Sequence, residues 1–241
     1  MVSGKREMPH NEADLKIRRK RRIKKLICWL CVDLVVAVFI LALLLHKPGS
    51  YDPADPNSAG LERGQVSPYL THELSPQFYN GTQRGEPFDL MITQKGINEI
   101  VAGWGWPRMS EGVMLYAPAV IFVPGSVVLM GTANVKGVEF IVTLVLKPSI
   151  DERGFSHLLV AEVKVGAMNI TWLAKPMARK MYAQRAASLP ADAKSFYGKI
   201  AASVLNDEPF EPVFEVDDRR VRVEAITVYQ QKLTARLVPA L

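Results

Sequence analysis

The 241-residue chain predicts an α+β fold, a mostly antiparallel sheet packed on helices and preceded by one transmembrane helix. Three observations carry this. Leu26 to Leu45 (LICWLCVDLVVAVFILALLL) is an apolar run with a single charge, long enough at about 1.5 Å per residue to cross a hydrocarbon core of roughly 30 Å. Beyond residue 88, β-rich runs follow one another across short Gly/Pro turns, which favours antiparallel pairing. Two helical stretches come after those runs instead of alternating with them, which separates α+β from α/β.

Composition narrows the classes. With 49% hydrophobic residues, 16 Gly, 16 Pro and two Cys, the chain is no collagen, disulfide scaffold or wholly disordered protein. The net charge of +6 is local: residues 1–25 hold ten Lys/Arg and three acids, whereas residues 46–241 hold 20 of each sign. No global basic field exists to attract nucleic acid.

Residues 1–25 form a basic cytoplasmic tail, with eight cations between Lys16 and Lys25. Placed before the 26–45 span, they put the N-terminus in the cytoplasm and the rest across the membrane. The apolar run is too long for a signal peptide and closes on Leu43-Leu44-Leu45-His46 without a small-x-small site, so an uncleaved anchor is expected. Asp33 reads as a protonated or snorkelling side chain, with a relay or helix partner as the sharper reading. Cys28 and Cys31 lie inside the span, where they read as apolar filler; the exported part has no cysteine and must fold by core burial.

Residues 46–87, with Pro48, Pro53, Pro56, Pro68, Pro76 and Pro87, read as a Pro-rich tether, in which Tyr69-Leu70-Thr71 and Gln77-Phe78-Tyr79 could dock on the domain. Residues 88–241 form the exported α+β domain. Phe88–Ile92 reads as a strand, and Thr93 caps a helix from Gln94 to Ala102 whose Ile97, Ile100 and Val101 fall at helical spacing. In Gly103-Trp104-Gly105-Trp106-Pro107, two indoles on a Gly frame serve either as a plug for the core or as a lip for a ligand or membrane interface.

Val113–Val123, Ser126–Asn134, Val138–Leu146 and Phe155–Val165 are the next strands. Val138, Phe140, Val142, Leu144 and Leu146 alternate on one face, as do Phe155, Leu159, Ala161, Val163 and Val165. Helices are expected over Trp172–Ser188 and Asp192–Leu205, then strands at Phe210–Val216, Val221–Tyr229 and Lys232–Val238. The first helix carries Lys175, Arg179, Lys180 and Arg185 with Leu173, Met177 and Met181 at i+4 spacing. Either its cations meet anionic headgroups, or its stripe packs on the sheet and its cations are solvated.

Motifs for catalysis are missing: there is no G-x-S-x-G, P-loop, Rossmann fingerprint or H-E-x-x-H, and His157 is the one histidine of the domain. The acidic pairs Asp151-Glu152, Asp207-Glu208 and Asp217-Asp218 sit in turns. No enzyme, cofactor or metal is expected. Asn80-Gly81-Thr82 and Asn169-Ile170-Thr171 match the glycosylation sequon, a pattern short enough to arise by chance.

The order of span, tether and the opening Phe88-Asp89-Leu90-Met91-Ile92-Thr93-Gln94-Lys95-Gly96-Ile97-Asn98-Glu99-Ile100 resembles the YpmS-like family of bacterial single-span membrane proteins. Ala119–Gly131 with its Pro124-Gly125 turn, and Val163-Lys164-Val165-Gly166-Ala167, resemble that family's later strands, so the likeness covers roughly residues 88–230; Trp104 and Trp106 fall outside the family pattern. In outline such proteins are similar to the tubular lipid-binding superfamily. The resemblance implies a curved sheet wrapping a helix and an apolar groove for lipid or another amphiphile. Leu90, Ile97, Ile100, Trp104, Trp106, Phe122, Phe140 and Leu144 are then the expected groove lining, with Lys175, Arg179, Lys180 and Arg185 toward lipid headgroups. The expected partners are the inner-membrane bilayer, a lipid ligand or an envelope protein, and the alternative function is a non-enzymatic partner-binding module.

Overall fold

The computed structural model describes residues 10–53, 66–110, 112–186 and 196–240 and divides into two compact units, Met1–Leu43 and Leu44–Leu241. Among the described residues the first is one helix, α1 (His10–Leu44). Its segment Ile23–Leu44 has a mean hydropathy of 2.9 and is long and apolar enough to cross a membrane. Leu26, Trp29 and Phe39 are all exposed on it, an arrangement compatible with a single-pass span.

The second unit starts with chain that its prolines had marked as tether. Pro48 accepts from the Tyr51 N–H at 3.0 Å, and Tyr51 is buried. After residue 66 come a π-helical turn, Tyr69–Leu74, and α2 (Ser75–Arg84). Pro68 stands at the N-cap of the π-helical turn and Pro76 in the first turn of α2 directly after it, where the wider winding carries the Ser75 N–H back to Leu70 O. These prolines start helices instead of preventing them.

β1 (Phe88–Thr93) leads into α3 (Gln94–Ala102), and the Thr93 hydroxyl accepts from the Gly96 N–H at 3.1 Å, the cap expected from the sequence. Next come β2 (Arg108–Ser110), β3 (Val113–Val123), β4 (Ser126–Val135), β5 (Val138–Ile150), β6 (Ser156–Val165) and β7 (Met168–Asn169). They pair in sequence order as an antiparallel meander of six strands. Helices α4 (Thr171–Ala186) and α5 (Phe196–Asn206) follow; residues 187–195, where the expected helix boundaries fall, lie outside the described residues.

The chain closes with β8 (Val213–Val216), β9 (Arg219–Tyr229) and β10 (Lys232–Pro239), which join β1 in a second antiparallel sheet of order β1-β10-β9-β8. The fold is therefore α+β with two antiparallel sheets. Its sheets are separate because α4 and α5 intervene between β7 and β8, while β10 pairs along the whole of β1, Phe88 opposite Leu237 and Thr93 opposite Lys232.

Polar side chains stitch α3 to the meander. Beyond Leu115, β3 has no strand on its β2 side, yet Asn98 donates to Val120 O and accepts from Val120 N, both at 2.7 Å, and Gln94 accepts from Phe122 N at 2.9 Å. The helix thus satisfies backbone groups that an unpaired edge would leave open. Gln231 N donates to Phe122 O and Gly125 N to Val228 O, so the β9–β10 hairpin holds the same corner.

One expected alternation fails. A register shift between Val145 and Leu146 sets Val160 opposite Leu146 and Val163 opposite Leu144, with Ala161 as the extra residue in β6. A bulge reverses which parity faces inward. Leu159 and Phe155 are consequently exposed, and Val160 takes the core position. In β5, by contrast, Phe140, Val142, Leu144 and Leu146 do share a face, opposite Ala133, Gly131, Leu129 and Val127.

Candidate functional site

The C-terminal sheet borders two adjoining apolar cavities, one toward the meander and one toward the helical segment before β1. The first, about 500 Å³, is walled by Ile97 and Val101 of α3, by Val120, Phe122, Val127 and Leu129 of the meander, and by Trp104 and Trp106. The second, about 380 Å³, lies between the helical segment 70–78 and the C-terminal sheet, with Leu70, Leu74 and Phe78 on one side and Leu90, Val223, Ile226 and Leu237 on the other. Ile92 and Leu233 line both. Neighbours across the β1–β10 ladder, they form the divide between the two spaces.

Local sequence explains how the walls stand where they do. Gly81 lies so close to the Phe88 ring that a Cβ there would come within 2.4 Å of it, and Gly96 would meet the Tyr69 ring at 2.3 Å. Only a residue without a side chain lets these elements approach. Around Tyr69, Glu99 accepts from the Tyr69 N–H (3.0 Å) and the Ser67 hydroxyl (2.7 Å), while the Tyr69 hydroxyl accepts from Thr93 N at 3.0 Å. Segment 67–84 is thereby pinned to α3 and β1 as the lid of the second cavity. Phe78 packs there at 6.0 Å, edge to face, on Phe214.

At the open side of the first cavity, Trp104 lines the space and is 51% exposed. Trp106 is half-buried, its indole N–H donating to Val101 O at 2.8 Å. The two indoles thus act together, one holding the loop to the helix end and the other forming a lip. Each cavity wall is apolar apart from Ser75 and carries no titratable side chain.

The expected groove residues divide accordingly. Ile97, Trp104, Trp106 and Phe122 meet in the first cavity and Leu90 lines the second. Ile100 is buried and lines neither. Phe140 is half-buried opposite Ala133, away from both. Leu144 belongs to a third, smaller cavity of about 190 Å³ between the sheet and α4, which also holds Lys175 and Arg179.

On α4 the packing side is Ala174 and Ala178; Leu173, Met177 and Met181 are exposed, and Trp172 is 78% exposed. The packed-stripe reading of this helix is thus corrected: small alanines let the helix sit close, and the larger apolar groups point away. Arg179 pairs with Asp207 at 2.5 Å, Lys180 is exposed, and the side chain of Arg185 lies outside the described residues. Leu70 and Phe78 come from the two segments of the Pro-rich stretch expected to dock on the domain, whereas Leu74 between them and the partners from β9 and β10 were not anticipated. The latter carried a signal, since Leu233, Ala235 and Leu237 alternate.

A larger concavity of about 730 Å³ lies at the start of α3, among Asp52, Thr93, Gln94, Lys95, Asn98 and Lys232. Its Thr93 hydroxyl caps α3, and its Gln94 and Asn98 amides pair with the β3 backbone. Groups with displaced pKa lie outside the apolar cavities. Burial pushes the Tyr51 phenol up, the Glu139 carboxylate hydrogen-bonded to Tyr116 pushes that phenol up to about 12, and the Phe155 backbone N–H bound to Asp151 holds its carboxyl down. Among the described residues no three His, Cys, Asp or Glu side chains gather as metal ligands. No protein-family model, curated protein or solved structure matches the chain.

Proposed function

We propose that this protein is a single-span membrane protein, N-terminus in the cytoplasm, whose exported domain binds or hands on a lipid or another amphiphile without catalysing a reaction. The observation that carries this is the pair of apolar cavities sharing Ile92 and Leu233. Their volumes fall within the range of about 300–1,000 Å³ usual for small-molecule sites. An acyl chain seated there would gain about 0.8 kcal/mol for each methylene removed from water. The resemblance to the YpmS-like family supports the same reading, since it implies a curved sheet around an acyl groove. The inner membrane is the expected location, argued from the basic residues before the span.

The test uses the full-length protein in lipid nanodiscs doped with a phospholipid carrying a photoreactive acyl chain. After illumination, labelled peptides are mapped by mass spectrometry. Label on residues 90–130 and 223–237, in addition to the span, is the expected outcome. Label confined to residues 23–44 overturns the reading in favour of a partner-binding module.

A further inference from the structure

The mouth of the first cavity is not electrically neutral. Arg108, the first residue of β2, donates from Nη2 to Trp104 O at 2.7 Å, and its guanidinium carbon lies 5.2 Å from the centre of the Trp106 ring. Both indoles line the cavity. The cation is thereby fixed at the lip by a backbone bond and by attraction to an aromatic face. Arg108 is exposed, and among the described residues no carboxylate pairs with it. Its other N–H donors face solvent at the edge of a wall without charge of its own.

Resting on the cavity reading above, we infer that Arg108 recognises the headgroup of the bound amphiphile, and that this headgroup is an anion, a carboxylate or a phosphate, whose chain enters between Trp104 and Trp106. A guanidinium offers a planar fork of donors that matches either oxyanion. Such a charge-assisted contact is stronger than a neutral hydrogen bond and strengthens next to an apolar wall. A neutral amphiphile of equal chain length gains the same burial and lacks this contact. A cationic one meets repulsion.

The full-length protein in zwitterionic nanodiscs is photolabelled with a diazirine-bearing long-chain fatty acid at mildly alkaline pH, with the matched fatty alcohol, and with the matched monoalkyl phosphate. Cavity label with either anion about fivefold to tenfold above the alcohol is expected. Arg108→Gln is expected to bring labelling by the two anions down to the level of the alcohol, and Arg108→Lys to retain part of the preference. Equal labelling by acid, phosphate and alcohol in the unaltered protein overturns the Arg108 assignment and leaves the cavity reading standing. Absence of cavity label with all three overturns both. The ratio of acid to phosphate distinguishes the two headgroups.

Discussion

Tyr51 is a single side chain that turns a stretch of linker into part of the domain. Its hydroxyl donates to Ala117 O at 2.5 Å and meets the Thr132 hydroxyl at 2.8 Å, on the face of the meander that carries Ala119 and Met130. Tyr51→Phe strips a partner from two groups that the ring keeps from water. It should lower stability by about 1–2 kcal/mol in urea denaturation followed on the second unit. Tyr51→Ala should cost about 3–5 kcal/mol by adding a cavity.

Tyr116 tests electrostatics at the same face. Its phenol is raised to about 12 because the neutral hydroxyl donates to the Glu139 carboxylate. A folded-state value above the ordinary 10.0 means that this bond supports the fold below pH 10 and is lost as pH rises toward 12. Phenolate absorbance should show Tyr116 among the last of the seven tyrosines to ionise, and Glu139→Gln should bring it back toward 10.0.

Helix α3 and the lid over it depend on close approach and on backbone pairing. Gly96→Ala forces the Tyr69 ring away and with it the bonds to Thr93 and Glu99. A loss of about 1–3 kcal/mol is expected, with faster amide hydrogen exchange over residues 67–84. Asn98→Leu should cost about 2 kcal/mol or more, measured by denaturant unfolding, since Val120 would lose a donor and an acceptor together. Much of this level was legible in advance: Thr93 as cap, Gly103 as helix end, and the three turns between β3 and β6 follow from local chemistry, whereas the short β2 and β7 were not expected. The helical form of the lid was not, because proline argues against a helix interior and says little about a helix start, and because Tyr69 meets Gly96 and Phe78 meets Phe214 far along the chain.

Across the whole molecule, β10 pairing with β1 brings residues 88 and 237 together and places Leu233 between the two cavities. Leu233→Trp should push a larger side chain into the two spaces that Leu233 lines and displace about two methylenes of a bound chain, which lowers photolabelling in both cavities about tenfold. Labelling of α1 should be unaffected, which separates blocked cavities from lost membrane contact. Five of the eight expected lining residues reach these cavities, because alternation and helix spacing say which side of an element is apolar. Ile100, Phe140 and Leu144 pass the same test and are packed elsewhere, since local periodicity carries no distance between elements.

Local order and hydrophobicity settle a good deal from the amino acids alone: one apolar segment of membrane length, an α+β domain, a meander with its turns, and a capped helix after the first strand. Hydrogen bonds and side-chain spacing within a few residues suffice for each of these. Which strands share a sheet, the bulge at Ala161 that reverses the inward parity of β6, the conversion of 67–84 into a lid and the placing of Arg108 beside two indoles arise from contacts between distant segments. Those contacts form by burying apolar surface that many arrangements could bury, and the choice among them rests on shape, as where Gly81 admits Phe88 and Gly96 admits Tyr69.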